Sequence, residues 1–161
     1  MNRLSRLPFV LPALLLSLLL AARMVSAAPG VVVEGAWVRV TLPGNPAAAY
    51  MVLRNAGPEP ARLLEVRSPA FAAAEIHRTW KKDGLAGMDE VSQVEVPAKG
   101  ELTMAPGGIH VMLMRAGKSL KAGERVPLVL RFAGGSEIKT GAEVRRHPPA
   151  KRADSPPPLG K

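Results

Sequence analysis

The 161-residue sequence contains no cysteine. This absence excludes disulfides, thiolate zinc sites, iron–sulfur clusters and thiol nucleophiles. It also excludes a blue-copper electron-transfer centre, because such a centre needs a cysteine ligand. Aromatic residues make up only 4% of the chain, while 47% of residues are hydrophobic. A single domain is therefore expected, with a core built mainly from Val, Leu, Ala and Met.

Common hydrolase signatures are missing as well. The sequence has no Gly-x-Ser-x-Gly elbow, no His-Glu-x-x-His helix and no convincing Ser–His–Asp set. Asp83 and Asp89 fall in or near a predicted hairpin, where solvated loop residues are the simpler interpretation. We therefore expect a protein that is not an enzyme.

The first 27 residues have the pattern of a secretory signal peptide. Arg3 and Arg6 precede a leucine-rich apolar run over residues 7–22, and small residues follow up to Ala27. Cleavage is expected between Ala27 and Ala28, which predicts a periplasmic protein with no stable membrane insertion. A retained membrane anchor is the alternative, but the run is short for a spanning helix. The absence of cysteine argues against a lipid-anchored lipoprotein.

The last segment, residues 145–161, is rich in proline and basic residues and is predicted to be disordered. It carries five basic residues and one acidic residue, so it supplies most of the positive charge that remains after cleavage. An exported protein does not normally meet nucleic acid, so no nucleic-acid partner is expected. Weak attraction to an anionic membrane surface, or solubility alone, is the expected role.

Residues 28–144 form the predicted folded domain. Short β-type runs alternate with turn residues at intervals of about eight to twelve residues, which is typical of a sandwich or barrel. Proline and glycine interrupt every longer helical pattern, and only residues 70–75 could form a brief helix. Residues 73–80 and 85–96 are predicted strands on either side of the Lys81-Lys82-Asp83-Gly84 loop.

His77, Met88, His110 and Met112 are the candidate metal ligands. Ten residues separate the first pair, twenty-one lie between Met88 and His110, and one lies between His110 and Met112. Thioether sulfur is a soft, uncharged donor, so it favours Cu(I) over Zn(II) or Fe(II) when combined with imidazole. The four residues therefore predict one Cu(I) per chain, and without a thiolate the ion should be exchangeable.

Strand geometry predicts that these residues form two local pairs. His110 and Met112 project to the same face of one strand, roughly 7 Å apart at Cα. A four-residue loop over 81–84 would place His77 directly opposite Met88. A two-residue turn at Asp83-Gly84 would make Met88 a diagonal neighbour instead. Both registers keep the two side chains on one face.

Each of these residues also has a simpler interpretation. Methionine often fills cores, and a buried histidine usually only satisfies a hydrogen bond. Met51 and Met104 are expected in the core or at its rim, and Met114 is the best additional ligand because it shares the face of Met112. His147 is expected to be solvent-exposed, with a weak Cu(II) contact as the alternative. Trp80 could cover the copper site or cap the core.

The four-residue pattern resembles the copper-binding signature of the periplasmic copper chaperone family called PCuAC. The surrounding sequence is also similar to that family over about residues 36–132. The segments that carry the resemblance are AWVRVTLPGNPAAAYMVLRNAG, LLEVRSP, EIH, VEVPAKGELTMAPGGIHVMLM and LKAGERVPLVLRF. The resemblance implies an all-β, cupredoxin-like Greek-key sandwich that binds one Cu(I) through His77, Met88, His110 and Met112.

The resemblance also implies partners. Members of that family deliver copper to the copper-A centre in subunit II of cytochrome c oxidase, directly or with a Sco-type thiol copper chaperone. Arg78 stands where many members have a methionine, which implies more positive charge beside the first histidine and weaker binding. A periplasmic copper buffer with no dedicated recipient, or a metal-free exported interaction module, are the alternative functions.

Overall fold

In the computed structural model the described residues are 30–39 and 44–149. They contain ten strands and no helix, and thus none long and apolar enough to cross a membrane. The strands are β1 (Val31–Arg39), β2 (Ala47–Asn55), β3 (Ala61–Arg67), β4 (Phe71–Lys82), β5 (Leu85–Glu90), β6 (Val94–Val96), β7 (Gly100–Met104), β8 (Ile109–Ala116), β9 (Arg125–Phe132) and β10 (Glu137–Arg145). The predicted signal peptide (1–27) and residues 150–161 of the predicted tail lie outside the described residues.

The strands follow one hydrogen-bonded path, in the order β5-β4-β8-β2-β1-β10-β9-β3-β6, with β7 pairing to β2. Neighbours are antiparallel except for β1 and β10, which run parallel. β8 pairs with the first part of β2 and β7 with the second part, so β7 and β8 lie end to end along the same edge of β2. The path folds over on itself, with β3 near β4 and β6 near β7, which gives the expected cupredoxin-like sandwich.

The core is built by side chains that alternate between the two faces of each strand. Val111 and Leu113 of β8 are fully buried, and Ile76 of β4 and Ala49 of β2 pack in the same cluster. Branched side chains two residues apart project to one face of a strand, so each strand contributes a row of apolar groups to the interior. The side chains between them project to the opposite face. That face of β4, β5 and β8 is called the site face below.

Residues 70–75, where the sequence allowed a brief helix, are not helical. β4 begins at Phe71 and pairs with β8 from Phe71 opposite Ala116 to Arg78 opposite Ile109. The run of alanines has a high helix propensity, but pairing along almost the whole of β8 outweighs it. The predicted strand over 85–96 is in fact two strands, β5 and β6, separated by residues 91–93.

The connection between β4 and β5 is a two-residue turn. Asp83 and Gly84 both have positive φ, of 52° and 77°, and Lys82 pairs with Leu85. Positive φ at both central residues matches the type I′ turn that suits the right-handed twist of a hairpin, and Asp-Gly favours it. This turn fixes the register of the hairpin that carries His77 and Met88.

Candidate metal centre

His77 and His110 are direct cross-strand neighbours on the site face. β4 and β8 pair antiparallel with His77 opposite His110, and the two ring centroids lie 6.0 Å apart at an interplanar angle of 44°. Residues directly opposite each other in an antiparallel pair have their Cβ atoms about 4.5–5.5 Å apart. Although the two histidines are far apart in sequence, the sheet register alone brings their imidazoles together.

Met112 and Met88 flank His77 diagonally, one on each side. Met112 pairs with Glu75 on β4, two residues from His77. Met88 pairs with Thr79, and Glu90 is the residue directly opposite His77 on β5. Diagonal neighbours of this kind lie about 7–8 Å apart, within reach of long side chains. Of the two registers left open by the sequence, the structure has the one with the two-residue turn.

Met112 is closer to the histidine pair than Met88 is. Met112 is partly buried on the central strand β8, whereas Met88 is 50% exposed on the edge strand β5. His77 separates the two methionines, because they lie on opposite sides of β4 and in opposite directions along it. Of the four predicted residues, the structure thus places His77, His110 and Met112 in one block and Met88 at its margin, on the hairpin.

A backbone hydrogen bond sets the orientation of the His110 ring. Nδ1 of His110 lies 3.2 Å from the carbonyl oxygen of Gly108, which can only accept. Nδ1 therefore carries the hydrogen, and Nε2 keeps its lone pair for a metal or another donor. The side chain is 5% exposed, so the ring is held firmly.

The His77 ring has a carboxylate on one nitrogen and no partner on the other. Nε2 lies 3.0 Å from Oε2 of Glu75, while Nδ1 is buried without a hydrogen-bond partner among the described residues. An unpaired buried nitrogen is costly, about 1–3 kcal/mol, unless something else satisfies it. A bound metal ion would do so.

An aromatic row continues from His110 along the same face. Tyr50 lies beside His110 with ring centroids 6.2 Å apart, and Trp37 stacks on Tyr50 at 4.6 Å. Both are buried, yet neither belongs to the main core cluster. Burial raises the pKa of the Tyr50 hydroxyl, and the positive charge of Arg39 partly offsets this. These two buried rings extend the row of rings that begins at His77 and His110.

Trp80 does not cover the site. Alternation puts it on the other face of the hairpin from His77, where it pairs with Gly87 and its ring lies over that glycine. The ring is 40% exposed, and Leu85 beside it is 69% exposed. The hairpin that carries Met88 therefore presents apolar side chains to solvent.

The other predicted residues are divided between core and surface. Met51 and Met104 are each 2% exposed and belong to the core, as expected. Met114 is partly buried on the site face, opposite Ala73, one step beyond Met112. His147 is exposed beyond the end of β10. β10 includes Arg145, the first residue of the predicted tail.

Sequence analysis missed Glu75 and Tyr50 as neighbours of the histidines. The signal for Glu75 was its spacing, because residue i+2 of a strand shares its face with residue i. Glu75 and His77 both lie in the predicted strand over 73–80, but their spacing alone does not show which nitrogen of His77 the carboxylate contacts. Tyr50 gave no comparable signal, since its position beside His110 depends on the pairing of β2 with β8.

Comparison with known proteins identifies the family. Residues 31–144 match the LpqE-like family, described as “Putative lipoprotein LpqE-like”. The chain belongs to this family. Its relative “Putative lipoprotein Lxx21020” from Leifsonia xyli subsp. xyli is 35% identical over 119 residues, which are 73% of this chain and 71% of that protein.

Solved structures with the same fold include copper proteins. The copper-bound PCuAC domain from PmoF2 is 28% identical with a TM-score of 0.62, over 74% of this chain and 95% of that domain. The Cu(I) form of DR1885 from Deinococcus radiodurans is 34% identical with a TM-score of 0.61, over 78% of this chain and 86% of that protein. The fold is thus that of PCuAC domains.

The four predicted ligands suit a soft ion better than a hard one. Within the described ranges no group of three or more His, Asp or Glu side chains is arranged to hold a metal. Beside the two imidazoles, the donors at diagonal positions are the thioethers of Met88 and Met112. Two imidazoles and two thioethers add no charge, which suits a monovalent soft ion. The unpaired Nδ1 of His77 is consistent with that use.

Proposed function

We propose that this protein is a copper chaperone that binds one Cu(I) through His77, Met88, His110 and Met112. The observation that carries the proposal is the direct cross-strand pairing of His77 with His110, whose ring centroids lie 6.0 Å apart. The thioethers of Met88 and Met112 lie diagonal to His77, one on either side. The similarity to the copper-bound PCuAC domain supports copper as the cargo. The protein would bind and release the ion without catalysing a reaction.

The position of the site suits a carrier. His110 is buried and held by the backbone, so it provides a fixed point for the ion. Met88 is half-exposed on an edge strand, so it can leave the ion at little cost in packing. With no thiolate among the ligands, a recipient that offers thiolates could take the ion.

We propose the copper-A centre in subunit II of cytochrome c oxidase as the destination, reached directly or through a Sco-type thiol chaperone. The resemblance of the four-residue pattern to PCuAC chaperones supports this. Copper-loaded protein mixed with the copper-free soluble domain of subunit II under reducing, oxygen-free conditions should lose its ion to that domain, which is measured as the copper content of each protein after the two are separated. No transfer, with or without the thiol chaperone, would favour a buffer with no dedicated recipient.

We further propose that the protein is exported to the periplasm and that a signal peptide is removed between Ala27 and Ala28. The charged start and apolar run over residues 7–22 support export, and the lipoprotein description of the family is consistent with it. Mass determination of the protein recovered from the periplasmic fraction tests the cleavage site.

The binding proposal is tested by competitive Cu(I) titration of the mature protein under reducing, oxygen-free conditions. One equivalent should bind, and His77→Ala, His110→Ala and Met112→Leu should each weaken binding by tenfold or more. The matched control is His147→Ala, which removes an exposed histidine away from the site and should leave binding unchanged. Unchanged affinity in the first three variants would contradict the ligand assignment.

A further inference from the structure

We infer that Glu75 is a positioning residue that selects Nδ1 of His77 as the atom that binds copper. This inference rests on the proposed function for its copper-binding part. Its structural part concerns the metal-free protein and can be tested without any metal.

The first step is the hydrogen bond between Glu75 and His77. Oε2 of Glu75 lies 3.0 Å from Nε2 of His77, and a carboxylate can only accept. The neutral ring must then carry its hydrogen on Nε2, which leaves the lone pair on Nδ1. That Nδ1 is buried and has no hydrogen-bond partner among the described residues.

The second step is that the two histidines are held in opposite tautomers. His110 donates from Nδ1 to the carbonyl oxygen of Gly108 and keeps the lone pair on Nε2. His77 donates from Nε2 to Glu75 and keeps it on Nδ1. A metal-binding histidine commonly donates its second nitrogen to a carboxylate or a backbone carbonyl, and here one ring uses each kind of partner.

The third step is the place of Glu75 within the block. Glu75 is the direct cross-strand neighbour of Met112, as His77 is of His110, so the four side chains form a two-by-two arrangement on β4 and β8. The carboxylate is 37% exposed and the His77 side chain 14% exposed. Glu75 is thus the more exposed of the two, and its carboxylate can hold the His77 ring by Nε2 while the buried Nδ1 stays without a partner among the described residues.

Glu90 supplies a matched control. It is the direct cross-strand neighbour of His77 on the other side, on β5, and it carries the same carboxylate. Within the described ranges it makes no hydrogen bond or ion pair with His77. A charge effect on His77 should appear in both glutamate variants, whereas a positioning effect should appear only at Glu75.

The test uses nitrogen-15 NMR of the metal-free mature protein at a pH where histidines are neutral. The wild-type spectrum should show His77 with its hydrogen on Nε2 and His110 with its hydrogen on Nδ1. Glu75→Ala should shift His77 towards a mixture of tautomers. Glu75→Gln should retain the wild-type tautomer, because the amide oxygen still accepts, and Glu90→Ala should leave it unchanged. Finding His77 protonated on Nδ1, or unaffected by Glu75→Ala, would overturn the inference.

Copper binding then gives an independent readout. Glu75→Ala should lower the Cu(I) affinity by about 10- to 100-fold, in line with the loss of other groups that orient metal ligands, while Glu75→Gln should recover most of it. Loading with Cu(I) should shift the resonance of Nδ1 in His77 and of Nε2 in His110. A shift at Nε2 of His77 would overturn the inference. Confirmed tautomers without any copper binding would instead contradict the proposed function.

Discussion

His77 and Met88 lie diagonally across the β4–β5 hairpin, because Met88 pairs with Thr79 and not with His77. The two residues also differ in how the fold holds them. His77 lies on a strand paired on both sides, whereas Met88 is half-exposed on an edge strand. The candidate site therefore combines residues held within the sheet with one residue, Met88, that is half-exposed at its edge.

Stability measurements on ligand variants should show this division. In the metal-free protein, His110→Ala should lower the free energy of unfolding by about 1–3 kcal/mol, because it removes a buried ring and its bond to the Gly108 carbonyl. Met88→Ala should change it by less than about 0.5 kcal/mol, since its side chain is half-exposed. Urea unfolding followed by circular dichroism measures both. An equal loss of unfolding free energy in the two variants would contradict the difference between the buried His110 and the half-exposed Met88.

Met112 and Leu113 are adjacent in sequence but face opposite sides of β8. Leu113 is fully buried in the core, and Met112 is on the site face. Leu113→Ala should cost about 2–5 kcal/mol of unfolding free energy, as large-to-small core substitutions do, while the folded fraction keeps its Cu(I) affinity. Met112→Leu should have the converse effect, with weaker copper binding and nearly unchanged stability. Affinity and urea unfolding are measured for both variants, and a loss of copper affinity in both would contradict the separation of faces.

Much of this arrangement could be predicted from sequence, but its register could not. Alternation around His110 was enough to place His110 and Met112 on one face of their strand. The Lys81-Lys82-Asp83-Gly84 segment fits either a four-residue loop or a two-residue turn, and only the backbone of Asp83 and Gly84 decides between them. The role of Glu75 could not be predicted, because strand alternation puts it on the face of His77 but does not show which ring nitrogen its carboxylate contacts.

Gly87 is needed for the position of the Trp80 ring. A Cβ atom at Gly87 would lie 2.6 Å from Cε2 of Trp80, so an added methyl group must displace the ring. We expect Gly87→Ala to increase the exposure of Trp80, which is already 40% exposed, and to leave the buried Trp37 unaffected. Fluorescence emission should move to longer wavelength, and quenching by acrylamide should increase.

The control for this change is Gly117→Ala. A Cβ atom there would meet only the Ala70 carbonyl oxygen, at 3.8 Å, which is ordinary contact. Its emission and quenching should match those of the wild type. If Gly87→Ala also left both unchanged, the ring would not rest on the glycine.

Ionisation of Tyr50 should couple the stability of the fold to alkaline pH. It is the one tyrosine in the chain, so the tyrosinate absorption band reports on it alone. Burial raises the pKa of its hydroxyl above the ordinary value of 10.0, despite the opposing effect of Arg39. In the native protein the band should therefore appear at higher pH than in protein unfolded by urea.

The sign of the linkage follows from the proton bound in each state. Between the unfolded and the raised folded pKa of Tyr50, the native state holds more protons than the unfolded state. The free energy of unfolding therefore falls as pH rises through that window. Below the window Tyr50 is protonated in both states, so it adds no pH dependence. Tyr50→Phe has no hydroxyl to ionise, so its stability should fall less steeply over the same window. Urea unfolding of both proteins at a series of pH values from neutral to above 10 measures the difference. Parallel pH profiles, or a native band at or below the pH of the unfolded one, would show that burial beside His110 does not control this hydroxyl.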